Sequence, residues 1–186
     1  MTYKLLKEKD YTTSPWSGGM TTEIFLYPET GSYKDRDFYA RISSATILVD
    51  QSTFTPLEGI DRFITSLDKP LTLQHSQAQP FTLSPFQVYG FSGGQATQSF
   101  GQVKDFNLMV KDPARGELKT YTLEGALVLE GQSADLMVIY SPQVDLTYPN
   151  LDLKASRGDS LVLEGVNEIS LRSEGKGHIL VAYIWL

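Results

Sequence analysis

Pro-Trp-Ser-Gly-Gly-Met-Thr-Thr-Glu-Ile, at residues 15–24, joins a glycine-bearing loop to a β-strand. The two adjacent glycines allow positive φ angles and a close approach of neighbouring backbone, so the loop is predicted to be tight. Side chains alternate along the strand that follows, which places Thr21 and Glu23 on one face. Trp16 adds a large aromatic surface with one N–H donor. The stretch is typical either of a turn with a packing tryptophan or of one wall of a binding pocket.

Turn residues interrupt the rest of the chain at short intervals, and the segments between them have the character of strands. Seventeen segments are strand candidates, from Tyr3–Lys7 to His178–Trp185. Apolar residues show no sustained helical period, so we expect at most one turn of helix, near Gly59–Phe63. Many short strands with turns between them indicate a sandwich or barrel. We therefore predict an all-β double barrel in one compact unit, with approximate halves 1–104 and 105–186 and room for strands exchanged between them.

Composition excludes several classes of function. Sixteen basic and 22 acidic residues give a net charge of −6, which disfavours nucleic acid and anionic membrane surfaces as partners. The chain has no cysteine, which excludes disulfides, thiolate metal sites and cysteine nucleophiles. Neither the apolar run of a signal peptide nor that of a membrane helix is present. We expect a cytoplasmic monomer or homodimer that binds neither nucleic acid nor membrane.

Polar residues at alternate positions mark three strand candidates. The pairs are Thr21 and Glu23, Arg41 and Ser43, and Asp105 and Asn107. One interpretation is that they form the solvent faces of sheets whose other face is the core. The other is that they line a polar barrel mouth, where Arg41 would bind an anionic group and pair with Glu23 or Asp105. The sequence leaves both interpretations open.

The loop at residues 53–62 ends with adjacent opposite charges, Asp61 and Arg62. On a strand these two side chains would point to opposite faces, whereas in a turn they could converge. The segment is therefore either a surface turn or a second source of charge for the same site.

Recognisable catalytic machinery is not evident in the sequence. His75 and His178 are the only histidines, and each stands alone in its strand candidate, so we expect no metal and no other cofactor. Nucleophile-elbow, phosphate-loop and dinucleotide-binding motifs are absent. Carboxylate pairs for acid–base chemistry remain open, because the sequence does not show which carboxylates meet.

Four motifs, in this order and at this spacing, resemble the HutD/Ves family. They are Trp16…Gly18-Gly19-x-Thr21-x-Glu23-Ile24, Arg41-Ile42-Ser43-x-Ala45, Phe54-x-x-Leu57-x-Gly59-Ile60-Asp61-Arg62 and Asp105-Phe106-Asn107-Leu108-Met109. The remainder matches in its strand pattern and its aromatic ending, Tyr183-Ile184-Trp185. The first loop departs from the family's Trp-(Lys/Arg)-Asn-Gly-Gly-Gly, since it is shorter and carries Ser17 in place of the asparagine.

The resemblance implies a cupin-like double β-barrel, an RmlC-type jelly-roll bicupin, without the metal ligands of catalytic cupins. Family members are linked by name to histidine utilisation or to stress responses, and the resemblance implies regulation through binding of a small pathway metabolite. We therefore predict a non-enzymatic protein that binds a small molecule, such as a small carboxylate. The predicted ligand-binding residues are Trp16, Gly18, Gly19, Thr21, Glu23, Arg41, Ser43, Asp61, Arg62, Asp105 and Asn107.

Two alternatives belong to other classes of function. One is a metal-independent isomerase or hydrolase of a small polar metabolite, with Glu23 or Asp105 as general base. The other is an interaction protein whose exposed strand edges pair with a partner or with a second copy.

Overall fold

The computed structural model describes residues 1–186, and its regular structure is almost entirely β-strand. The helical segments are two short 3-10 helices, Glu8–Asp10 and Pro149–Leu151. None of the helices has the length and apolar character that crossing a membrane requires. The strands are β1 (Thr2–Leu6), β2 (Thr12–Trp16), β3 (Gly19–Tyr27), β4 (Ala40–Ile47), β5 (Gln51–Thr53), β6 (Ile60–Ser66), β7 (Leu71–His75), β8 (Phe81–Leu83), β9 (Tyr89–Ser92), β10 (Thr97–Phe100), β11 (Lys104–Lys111), β12 (Arg115–Glu130), β13 (Leu136–Tyr140), β14 (Leu146–Tyr148), β15 (Leu153–Ala155), β16 (Ser160–Glu164) and β17 (Glu168–Trp185).

The predicted all-β class is confirmed, with differences in individual elements. The turn of helix predicted near Gly59–Phe63 is wrong, because β6 begins at Ile60 and its burial alternates as in a strand. The sequence does not predict β2 or β5, since both are short and rich in Ser and Thr. In contrast, β12 and β17 are single long strands where the sequence predicts two strands each, with a gap between Thr122 and Ala126 and a turn at Glu174–Gly177.

The strands form two units. The first is Thr12–Arg115, and the second combines Met1–Tyr11 with Gly116–Leu186. The N-terminal segment belongs to the second unit because β1 pairs with β16. The sequence predicts a boundary near residues 104 and 105, and β11, which contains these residues, pairs with β4 and β6 inside the first unit.

The first unit contains two antiparallel sheets. The larger has six strands in the order β2-β3-β4-β11-β6-β9, and the smaller has four in the order β5-β10-β7-β8. Ile47 and Ile64 of the larger sheet pack with Leu71, Leu73 and Leu83 of the smaller one. The two sheets therefore face each other across an apolar core.

Strand register in the larger sheet aligns side chains in rows. Two rows cross β3, β4, β11 and β6, namely Glu23–Ser43–Asn107–Ile64 and Leu26–Arg41–Met109–Arg62. Because opposed residues of an antiparallel pair share a face, each row lies on one side of the sheet. Ile64 packs in the core between the sheets, so this polar face is turned towards the smaller sheet.

A β-bulge in β3 is needed for this alignment. The register against β4 shifts between Glu23 and Phe25, so that Ile24 and Phe25 are both buried and Leu26 lies opposite Arg41. The sequence predicts uninterrupted alternation, with Leu26 on the face away from Glu23, and this prediction is wrong. The extra residue of a bulge reverses the alternation beyond it.

The second unit is a seven-stranded sheet in the order β1-β16-β13-β17-β14-β15, with β12 also paired to β17. Its core is apolar and includes Met137, Ile139, Leu161, Leu163 and Val181, all with no exposed surface. Its centre is therefore filled by hydrocarbon side chains.

A substitution at Gly19 tests whether the close backbone approach at the start of β3 contributes to stability. A Cβ at this position would lie 1.9 Å from the carbonyl oxygen of Thr46, and its φ of +154° is one that other residues rarely adopt. We expect Gly19→Ala to lower the free energy of unfolding by about 2–4 kcal/mol, measured by urea denaturation. The matched control is Gly101→Ala, at a φ of +99° with nothing within 4 Å of the new Cβ. Equal losses in the two variants would show that the close approach to Thr46 does not matter.

Candidate functional site

A cavity of about 500 Å³ lies in the first unit. The polar face of the larger sheet forms its floor, and the segment after β5 and the loop between β3 and β4 contribute to its walls. Eight predicted ligand-binding residues line it: Trp16, Thr21, Glu23, Arg41, Ser43, Arg62, Asp105 and Asn107. Of the two open interpretations of the polar pairs, the structure therefore fits a lined cavity and not a solvent face.

Three predicted residues do not line the cavity. Asp61 is exposed and precedes Arg62 on β6, so the alternation of the strand turns it away. Gly18 and Gly19 instead shape the loop. The Trp16 indole covers Gly18 so closely that a Cβ there would lie 2.2 Å from the ring, and this contact holds Trp16 at the cavity wall.

Arg41 is held in a fixed orientation by three contacts. Its Nε donates to Glu23 Oε2 at 2.8 Å, and its Nη1 donates to Ser43 Oγ at 3.0 Å. The Tyr33 ring stacks on the guanidinium, with 4.0 Å from Cζ to the ring centroid. The side chain is buried, so the ion pair with Glu23 compensates a charge that would otherwise be costly to desolvate. The predicted pairing of Arg41 with Glu23 is therefore present in the structure.

Arg62 is buried with fewer polar contacts. Its Cζ lies 4.6 Å from the centroid of the Phe54 ring and 5.3 Å from that of Phe91. Its Nε has no hydrogen-bond partner. Burial lowers the pKa of this guanidinium to about 10, although the negative charge of Asp105 opposes the shift. Arg62 therefore remains a cation at neutral pH and retains an unused donor.

Asp105 is the buried carboxylate of the cavity. Burial raises its pKa to about 6, while the N–H of Ala45 and the charge of Arg62 act in the opposite direction. The Ala45 N–H donates to Asp105 Oδ1 at 3.2 Å. Asp105 is therefore a group that changes charge close to neutral pH.

Several lining residues were not predicted. Tyr33 and Lys34 come from the loop between β3 and β4, and Phe54 comes from the segment after β5. Loop residues follow no strand period, so their direction was not readable from the sequence. The sequence does contain a signal for β2, namely the alternate positions Thr12, Ser14 and Trp16. All three of these residues line the cavity.

The histidines take part in other networks. His75 Nδ1 lies 2.9 Å from Thr97 Oγ1, which itself donates to the carbonyl of Gln95 at 2.9 Å. Nδ1 therefore carries the proton, and Nε2 accepts from Tyr89 OH at 3.1 Å. His178, in the second unit, contacts Gln143. No group of three or more His, Cys, Asp and Glu side chains is arranged to hold a metal ion.

Comparison with known proteins shows the family and the fold. The HutD family model matches residues 8–181, so the chain belongs to the HutD family. No curated protein matches it in sequence. Among solved structures, PA5104 from Pseudomonas aeruginosa PAO1 is similar with a TM-score of 0.88 and 22% identity, and each chain is covered in full. HutD from Pseudomonas fluorescens SBW25, in a formate condition, is similar with a TM-score of 0.80 and 22% identity, and the match covers 99% of this chain and 98% of that chain.

A more distant likeness extends the fold to other proteins. The pirin YhhW from Escherichia coli, in complex with nickel(II), is similar with a TM-score of 0.72 and 13% identity, covering 98% of both chains. These likenesses confirm the predicted fold, a cupin-like jelly-roll double barrel with very little helix.

The raised pKa of Asp105 makes stability depend on pH. Its folded-state pKa of about 6 exceeds the unfolded value of 3.8. The contribution of this carboxyl group to the free energy of unfolding is therefore fully present below about pH 4 and is lost as the pH rises through 6. The Asp105→Asn variant keeps an acceptor for the Ala45 N–H and does not titrate. We expect its free energy of unfolding, relative to that of wild type, to increase by roughly 2–3 kcal/mol between pH 4 and pH 7. Urea denaturation across this range measures the difference. A constant difference at all pH values would contradict the shift.

Proposed function

We propose that this HutD-family chain binds a small carboxylate in the cavity of its first unit and serves a regulatory or sensing role. The observation that carries the proposal is Arg62, a buried guanidinium cation that lines the cavity. A buried cation is costly without a counter-charge, and a bound carboxylate would supply one. The role in regulation rests on the binding itself, since a protein that binds a metabolite without converting it can report its concentration.

The charges around the cavity favour an anion. Lys34, Arg41 and Arg62 are cationic, whereas the carboxylates are Glu23 and Asp105. Glu23 is already paired with Arg41 at 2.8 Å, and Asp105 is partly protonated near neutral pH. The cavity therefore carries a net positive charge that a monoanionic ligand would balance.

The walls suit a small ligand with an apolar part. Trp16, Tyr33 and Phe54 contribute aromatic surface, and a volume of about 500 Å³ is within the usual range for small-molecule pockets. We infer that the carboxylate lies on the floor near Arg62 and that the aromatic residues cover the rest of the molecule. A metabolite of amino-acid breakdown in the cytoplasm, as the association of the family with histidine utilisation suggests, would have this character.

A second candidate function rests on Asp105. A carboxylate that is buried in a cavity, with a pKa raised to about 6, is suited to act as a general base near neutral pH. The corresponding proposal is a metal-independent isomerase or hydrolase of a small polar metabolite. It predicts that the wild-type protein converts a ligand that raises the unfolding midpoint, and NMR of the ligand over time measures this conversion. The Asp105→Asn variant should then bind the ligand without converting it. A ligand that binds and stays unchanged over hours supports the sensor instead.

The carboxylate proposal predicts a set of thermal shifts. Acetate, N-acetylglycine, levulinate, urocanate and N-formylglutamate are the test ligands. A ligand at 100 times its dissociation constant should stabilise the fold by about 2.7 kcal/mol, which raises the unfolding midpoint visibly. We expect at least one of these carboxylates to do so, while the corresponding amides do not. The proposal would be contradicted if no carboxylate raised the unfolding midpoint at ligand concentrations up to roughly 50 mM, well above the dissociation constant of a weak complex.

Variants test the two arginines. We expect Arg62→Ala and Arg41→Ala each to weaken carboxylate binding by about 2 kcal/mol or more, measured by calorimetry, because each removes a desolvated charge. The matched control is Asp61→Ala, next to Arg62 in the chain but exposed on the other face of β6, and it should leave affinity unchanged. Unchanged affinity in both arginine variants would place the ligand elsewhere.

A further inference from the structure

The first eleven residues of the chain belong to the second unit. Met1–Tyr11 group with Gly116–Leu186, and the next residue, Thr12, opens β2 of the first unit. We call residues 1–11 the N-terminal arm. The arm continues into the first unit without an intervening linker, whereas non-covalent contacts alone hold it in the second unit.

The arm covers one edge of the seven-stranded sheet. β1 is the terminal strand of this sheet and pairs with β16 in antiparallel register, from Thr2 opposite Glu164 to Leu6 opposite Ser160. If β1 were removed, β16 would present its unpaired N–H and C=O groups as a new edge. Such an edge binds an extended segment by strand addition. The arm therefore occupies a site that accepts a strand.

Polar groups of the second unit hold the end of the arm. Asp159 is buried, and its carboxylate accepts a hydrogen bond from Lys7 Nζ at 2.8 Å and one from the Glu8 N–H at 3.0 Å. The hydroxyl of Tyr11 lies 2.9 Å from Ser160 Oγ. These contacts need a lysine and a tyrosine at fixed positions after the strand, so the site fits the sequence of this arm and not every extended segment.

The apolar contacts of the arm are few. Thr2, Tyr3 and Lys4 of β1 are exposed. Leu5 and Leu6 are half-buried, and of these two Leu5 packs against the apolar core of the unit. A segment with little buried apolar surface opens locally at a lower free-energy cost than unfolding of the whole protein. We therefore expect the arm to detach while the rest of the sheet stays folded.

A second copy of the chain is the occupant that fits the vacated edge. Its arm carries the same Lys7 and Tyr11, which meet Asp159 and Ser160, so each contact of the closed monomer is remade between two copies and no new interface is required. The direct connection of Tyr11 to Thr12 favours the exchange, because a short connection leaves the arm little freedom to fold back onto its own sheet.

We propose that two copies of this chain exchange their N-terminal arms, so that β1 of each copy pairs with β16 of the other and completes its seven-stranded sheet. The exchange is reciprocal and gives a closed dimer with two-fold symmetry. Asp159 anchors the incoming arm through Lys7. The edge of β16 is thus an interaction surface for a second copy, and the assembly does not depend on a ligand in the first unit.

Introduced thiols report which sheet an arm occupies, because the chain has no cysteine of its own. Thr2 and Glu164 lie opposite each other and are both exposed. In the variant Thr2→Cys/Glu164→Cys, oxidation links the arm to β16 within one chain in the closed monomer and between two chains in the exchanged dimer. Non-reducing electrophoresis separates the two products.

The dimer fraction should depend on protein concentration. We expect covalent dimer as a main product when Thr2→Cys/Glu164→Cys is equilibrated under reducing conditions at roughly 0.1–1 mM and then oxidised. After dilution by about a hundredfold and renewed equilibration before oxidation, its fraction should fall at least about tenfold. Exclusively intrachain linkage at every concentration would overturn the proposal.

The matched control is Thr2→Cys/Lys154→Cys, because Lys154 is exposed on β15 at the opposite edge of the same sheet. Covalent dimers of this control arise from chance collisions and should stay at background. Equal dimer yields from the two cysteine pairs would contradict arm exchange.

The anchor is tested by Asp159→Asn, added to the Thr2→Cys/Glu164→Cys variant. It removes the charge that pairs with Lys7 from the closed monomer and the exchanged dimer alike, so the dimer fraction should stay within about twofold. Arm exchange between two differently tagged populations should become at least about threefold faster, because the arm opens more easily. An unchanged exchange rate would show that Asp159 is not the anchor. Lys7→Ala replaces Asp159→Asn if the latter does not fold.

Discussion

A shift of one residue in the pairing of β4 with β11 would separate their polar side chains, since either Arg41 and Ser43 of β4 or Asn107 of β11 would turn to the opposite face of the sheet. The observed register places Ser43 opposite Asn107 and Arg41 opposite Met109. Partners within the sheet offset part of the cost of burying its charges. The Arg41–Glu23 ion pair and the N–H of Ala45 on Asp105 Oδ1 are the contacts that make a polar sheet interior tolerable.

The two units fill their interiors in different ways. The second unit is packed with apolar side chains such as Ile139, Leu161 and Val181, which have no exposed surface. In the first unit the apolar cluster around Ile64 and Leu73 occupies part of the interior, and polar side chains line the remaining space. Close packing stabilises a unit without leaving room for a ligand, whereas a polar cavity gives up stability for binding. The candidate function therefore belongs to the first unit.

Much of the floor of this site was predictable, because it consists of strands. Alternation along β4 and β11 identified Arg41, Ser43, Asp105 and Asn107 as one face, and the register then brought them together. The bulge after Glu23 was not predictable, since no glycine or proline marks it, and it reversed the expected direction of Leu26.

The walls were less accessible to sequence reasoning. The aromatic residues from loops, Tyr33 and Phe54, have no period that fixes their direction. Asp61 and Arg62 could not be assigned until the segment was seen to be a strand, which separates them onto opposite faces. Local periodicity thus determines which side chains share a face, and only the three-dimensional path of the loops determines what covers them.

The central claim is that a carboxylate binds at Arg62, and the Arg62 Nε–H resonance tests it most directly. In a ¹⁵N-labelled protein this signal, assigned by its loss in Arg62→Lys, can be followed during titration with N-acetylglycine. The account predicts a saturable shift of the Nε–H signal as the carboxylate pairs with the guanidinium. An Arg62 Nε–H signal that stays unchanged while the ligand saturates the protein would contradict it.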